Sequence, residues 1–173
     1  MKEKIAFTVV IVAVLIGIFF LIQHNDIPIS TDLTQKEIIQ NDTIYLNIDF
    51  SKINSTKEDF LKNIPSYDIK NKEYMDHNYA EDNSLIKDYL SFHLNEFTEK
   101  EFVSLGMDNV SQENNVLLYQ KLKLINIWLY PIKGPNDQYY LVFDYSIGKK
   151  YADAVIVIKT DLQGNFIDIN WES

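Results

Sequence analysis

The chain reads as an α+β fold. The expected architecture is an antiparallel sheet, built from an N-terminal hairpin and a C-terminal four-stranded meander, with helices on one face and one transmembrane helix ahead of it. Three observations carry this reading. Residues 5–22 form an unbroken apolar run. Hydrophobic residues then recur at helical spacing between about 55 and 120. From Leu122 onward the apolar period becomes two, the signature of strands.

The first of these predicts a tether. The run IAFTVVIVAVLIGIFFLI holds neither charge nor proline. As a helix it is about 27 Å long, close to the thickness of a bilayer's hydrocarbon core. Residues 5–23 are therefore expected to span a membrane, with residues 1–4 as a tail. Lys2 and Lys4 precede the run, and the next lysine is Lys36. That bias places the tail in the cytoplasm and the domain outside, as a single-pass protein of the cell membrane. A cleaved signal peptide is the competing reading. Its apolar region is usually about 7–15 residues and ends in a small-x-small site, whereas this run is longer and ends in Phe19-Phe20-Leu21-Ile22-Gln23-His24.

Composition bounds the chemistry. There is no cysteine, which removes a lipidated cysteine, disulfides, thiolate catalysis and cysteine-based zinc sites together. All 16 basic residues are lysine. The net charge is −9, and since Lys2, Glu3 and Lys4 sum to +1, the remainder carries −10. Such a surface repels nucleic acid and anionic headgroups and suits a cationic protein partner. Solubility alone is the simpler account of the same charge.

Residues 24–35, with Pro28, read as a linker, and residues 36–173 as a single α+β domain. In Thr43–Phe50 the apolar residues Ile44, Leu46, Ile48 and Phe50 alternate with Tyr45, Asn47 and Asp49. This predicts a half-buried strand in a hairpin turned at Asn41-Asp42. Ser55-Thr56-Lys57-Glu58 reads as a capping box, opening a helix that faces Phe60, Leu61 and Ile64 inward and stops at Pro65. Ile86, Leu90, Leu94 and Phe97 mark a helix to Phe97 that starts at Asp82 or Asn83. Thr98-Glu99-Lys100-Glu101 is a second capping box, and Gly106 fits the position just past the end of that short helix. A further helical turn or two runs from Ser111 to about Gln120. Strands follow at 123–131, 138–147, 152–161 and 165–171, separated by turn-rich breaks short enough for hairpins. Gly148 ends the second of these strands and is expected at positive φ.

Few residues suggest chemistry. The histidines are His24, His77 and His93, and none belongs to a recognised metal-binding spacing. Asp76, His77, Glu81 and Asp82 cluster before a helix. They could hold a hard cation, but acidic residues there are also favoured by the helix dipole. Asp144, Asp153 and Asp168 lie on or beside strands as potential paired carboxylates. Trp128, Tyr139, Tyr140, Tyr145 and Trp171 form an aromatic set, of which half could form an exposed binding face and the rest pack under helices. No catalytic, cofactor-binding or metal-ligating residue is assigned, and no cofactor is expected.

Several segments carry a resemblance. They are Asn63–Asp68, Ile86–Leu94, Leu122–Pro131, Phe143-Asp144-Tyr145-Ser146-Ile147-Gly148, Val155–Ile158 and the terminal Trp171-Glu172-Ser173. In order along the chain, they resemble a family of small uncharacterised bacterial proteins with a domain of unknown function. The FDYSIG and WES segments are the most specific parts. Some members are immunity-like proteins of polymorphic toxin systems. The resemblance implies a binding role and carries over no catalytic residue. Typical members have no membrane anchor, so this chain departs from the pattern, and an outward-facing domain could not neutralise a toxin acting inside the cell. The leading expectation is a membrane-anchored, non-catalytic protein-binding domain. Behind it stand an extracytoplasmic structural or accessory protein of the cell envelope and, third, a carboxylate-dependent hydrolase.

Overall fold

A computed structural model describes residues 34–107, 112–134 and 138–173. The strands are β1 (Gln35–Ile39), β2 (Asp42–Asn47), β3 (Lys123–Ile132), β4 (Gln138–Ser146), β5 (Val155–Thr160) and β6 (Phe166–Glu172). Between β2 and β3 come a 3-10 turn (Phe50–Lys52) and the helices α1 (Lys57–Ala80), α2 (Leu85–Glu96), α3 (Glu99–Leu105) and α4 (Gln112–Tyr119). The expected membrane helix at residues 5–23 lies outside the described residues. Among the described residues, no helix is long and apolar enough to cross a membrane.

The six strands form one sheet in sequence order. It is mixed rather than antiparallel, which corrects the expected architecture. β2 and β3 run parallel, with Tyr45 opposite Asn126, Leu46 opposite Ile127 and Asn47 opposite Trp128. The other four pairings are antiparallel. The helical segment between β2 and β3 returns the chain to the end of the sheet where β2 began, so the two neighbours must share a direction. Apolar alternation looks the same read either way along a strand and therefore does not encode this polarity.

Local signals place most boundaries. Gln40 and Asn41, at φ +51 and +69, make the β1–β2 turn, one residue earlier than Asn41-Asp42. Consecutive positive φ values are what a two-residue hairpin requires. Thr56, not Ser55, caps α1, and its hydroxyl accepts from the Asp59 amide at 3.1 Å. The Thr98–Glu101 capping box forms as expected, and Gly106 ends α3 at φ +76. Gly148 stands at φ +108.

Pro65 does not stop the first helix; it lies inside α1. An interior proline costs about 3 kcal/mol. Against this, α1 buries Phe60 and Ile64 before the proline and Asn71 and Met75 after it. Ending the helix at Pro65 would give up the second pair, and Met75 alone is worth about 1.5–3 kcal/mol buried. Tertiary packing thus overrides the local breaker.

The core lies between the helices and one face of the sheet. From the strands it takes Leu46, Ile127, Leu129, Phe143, Tyr145 and Ile158; from the helices, Ile64, Met75, Ile86, Leu90 and Leu94. Two buried tyrosine hydroxyls inside this layer are bonded, whereas both side-chain polar atoms of the buried Asn71 find no hydrogen-bond partner among the described residues. Tyr89 donates to the Ala154 carbonyl at 3.1 Å, and Tyr145 to the Asp68 carboxylate at 2.9 Å. Because, among the described residues, this core draws on none before β1, residues 31–173 expressed alone should melt in a single cooperative transition. A broad, probe-dependent loss of structure in calorimetry and circular dichroism would contradict that.

Candidate functional site

Strand alternation sends every second side chain to the opposite face of the sheet. Among the described residues, ring contacts and hydrogen bonds between helices and sheet engage the core face, as Tyr67 with Phe143, Tyr74 with Phe166, Tyr89 and Phe92 with Trp171, and Asp68 with Tyr145 do. Among the described residues, no helix packs on the other face. Val142 and Val157 are buried yet lie outside the core cluster, because they belong to that second face.

The register lays this open face out in rows. One row crosses five strands as Tyr45, Asn126, Asp144, Val157 and Asn170. The next reads Asn47, Trp128, Val142, Lys159 and Asp168. Beyond them Tyr130 and Tyr140 stack at 5.6 Å between ring centroids. At that end a depression of about 430 Å³ is lined by Pro131, Ile132, Tyr140, Lys159, Ile167 and Asp168, among others. Ile132 and Ile167 are exposed there, and Ile38 is exposed at the β1 margin.

Asp144 sits near the middle of this face and is only 8% exposed. Its Oδ2 accepts from Trp128 Nε1 at 2.7 Å and from Asn126 Nδ2 at 3.0 Å. Burial raises its pKa above the ordinary carboxylate value; the two bonds pull it down, and the nearby Glu172 charge adds to the rise. Lys159 is engaged with Asp168 at 3.9 Å, and among the described residues no lysine pairs with Asp144.

The sequence-derived candidates fall into two groups. Trp128 and Tyr140 reach the open face, whereas Tyr139, Tyr145 and Trp171 turn to the core side. The three aspartates are not brought together as a catalytic pair. Asp144 is mid-sheet, Asp168 is on β6 beside Lys159, and Asp153 lies in the β4–β5 connection near His93. His93 is buried, with its ring edge-on to Tyr89 at 4.6 Å, and burial depresses its pKa against the opposing pull of Glu96 and Asp153. His24 lies outside the described residues, and His77 is exposed in the last turn of α1. Around Asp76–Asp82, Asp76 accepts from Tyr119 at 2.6 Å and Glu81 from Asn78 at 3.5 Å. Among the described residues, no group of three metal-ligating side chains forms. Tyr45, Tyr130, Asn126 and Glu172 escaped the sequence reading as site residues. Their signal was present in the two-residue alternation, since each shares a parity with Trp128 or Asp144 across the sheet.

The β6 margin is closed to further strands. The Ile169 amide donates to the Asp168 side chain at 2.9 Å, and the Trp171 amide to Asn170 at 2.8 Å. Adding a strand there would have to break these local bonds, a common way of blunting an edge. No family model matches this chain, and neither a curated protein nor a solved structure matches it.

Proposed function

We propose that the domain is a membrane-anchored, non-catalytic binding domain of the immunity-like kind, which engages a basic protein partner through its open sheet face. The observation that carries this reading is the face itself, where Tyr45 and Trp128 stand on a sheet that no described helix covers. Large aromatic side chains supply contact area at low entropic cost and dominate interface energetics. The exposed Ile38, Ile132 and Ile167 extend the patch, and grouped exposed apolar residues mark interaction sites. The net charge of −9 favours a cationic partner by complementarity. The self-bonded β6 margin favours binding to the face over strand addition there. Residues 5–23 provide the tether, and Lys2 and Lys4 direct the domain outward, so the partner is met outside the cytoplasm. The resemblance of the FDYSIG and WES segments supports the immunity-like assignment.

Photo-crosslinking in cells tests this on the full chain. A benzophenone side chain at Tyr45 or Ile132 should capture a basic protein. The same group at Val103, 72% exposed on α3, should not. Capture from Val103 alone, or equally from all three positions, defeats the reading.

A further inference from the structure

We propose that the Asp144–Trp128 corner of the open face is the anchor point for an arginine side chain of the partner. This rests on the binding role proposed above and names the group it recognises. Asp144 is a carboxylate enclosed by its own sheet, yet both of its hydrogen bonds fall on Oδ2. Among the described residues Oδ1 receives no hydrogen bond. A carboxylate holds up to about four acceptor positions, so the site is half used. Among the described residues no lysine pairs with it: Lys159 is committed to Asp168 and Lys123 to Asp42 at 2.6 Å. A carboxylate oxygen with acceptor capacity to spare can take a charge-assisted contact from a partner's cation.

The surroundings select guanidinium over ammonium. Trp128 donates to the same carboxylate and therefore stands beside any cation that reaches Oδ1. A guanidinium is planar, stacks on aromatic faces and is weakly hydrated, so it enters a partly enclosed aromatic corner at lower desolvation cost than an ammonium. Asn126, which gives its Nδ2 to Asp144, carries an amide oxygen able to accept a remaining guanidinium donor. Glu172 adds negative potential at the same place. The chain contains no arginine, so neither the domain nor a second copy of it can supply this group. The occupant has to be a different protein.

The test uses the full-length chain in lipid nanodiscs, titrated with capped tetra-arginine, tetra-lysine and tetra-citrulline peptides. Readouts are the two tryptophan indole N–H signals and the methyl signals of Ile132, Val142, Val103 and Val116. Tetra-arginine should shift the Trp128 indole saturably and leave Trp171 in place. Tetra-citrulline, equal in shape but uncharged, should do nothing, and tetra-lysine should bind at least severalfold more weakly. Asp144→Asn should weaken tetra-arginine binding by about tenfold, in line with the loss of a charge-assisted contact. The anchor is overturned if Asp144→Asn titrates like the parent chain, if lysine or citrulline binds as tightly, or if no signal moves. Movement of Ile132 and Val142 without Trp128 overturns the anchor and leaves the face reading intact. Movement confined to Val103 and Val116 overturns both.

Discussion

Gly164→Ala should destabilise the domain by about 2–4 kcal/mol, as read from the urea unfolding midpoint. Two effects add. Gly164 sits at φ +79, where a Cβ costs roughly 1–2 kcal/mol. That Cβ would also lie 2.6 and 2.8 Å from two ring carbons of Tyr67. The ring has nowhere easy to go. Its hydroxyl donates to the Leu162 carbonyl at 3.1 Å, and it packs between Phe60 and Phe143 at centroid distances of 5.8 Å. Relief therefore requires the β5–β6 turn or α1 to shift. Gly106→Ala is the matched control, with φ +76 and nothing within 4 Å of the new Cβ. It should show only the backbone cost. Equal losses in the two variants would mean that Tyr67 yields freely and that the α1–turn contact is soft.

Asp144→Asn should stabilise the domain by about 1–2 kcal/mol at neutral pH, the same change that is expected to weaken guanidinium recognition. Asparagine keeps an oxygen for Trp128 and Asn126 and removes a buried charge. The pH dependence follows from the direction of the shift. Burial raises the folded-state pKa of Asp144 above its unfolded value near 3.8, so the native state holds this proton more tightly. In the parent chain, this residue's contribution to stability is greatest in acid and is lost as pH rises through the raised pKa. The advantage of the asparagine variant should accordingly grow with pH across that window and vanish below it. Urea titrations of both proteins between about pH 3 and 8 measure this. An asparagine variant that is less stable at neutral pH would show that the two hydrogen bonds outweigh the burial cost. A carboxylate retained at a cost to stability is the pattern expected of a functional group.

Much of the fold was legible because it is local. The alternation in Thr43–Phe50 and after Leu122, the Thr98–Glu101 box, and the apolar spacing of Ile86, Leu90 and Leu94 each act within a few residues and locate their elements, although β2 stops at Asn47, with Phe50 opening the 3-10 turn, and β5 is shorter than the expected 152–161. The site was legible only in part. Trp128 and Tyr140 were named from composition; alternation puts Tyr140 on the face opposite Tyr139 and Tyr145, but does not say which face the helices cover, and Tyr139, Tyr145 and Trp171 face the core.

What the sequence determined by itself is which residues belong together on one side of each element, because the periods of helix and strand are properties of the backbone alone. Only the tertiary structure decided the rest. It set β2 parallel to β3 through contacts between residues 45–47 and 126–128, kept α1 helical through Pro65 because Met75 is buried beyond it, and chose which sheet face the helices cover. That last choice also fixed Asp144 on the uncovered side, with Trp128 and Asn126 brought to it from a neighbouring strand. The physical reason is that alternation divides a strand into two faces without saying which one is covered; coverage depends on the summed apolar burial of elements far apart in the chain.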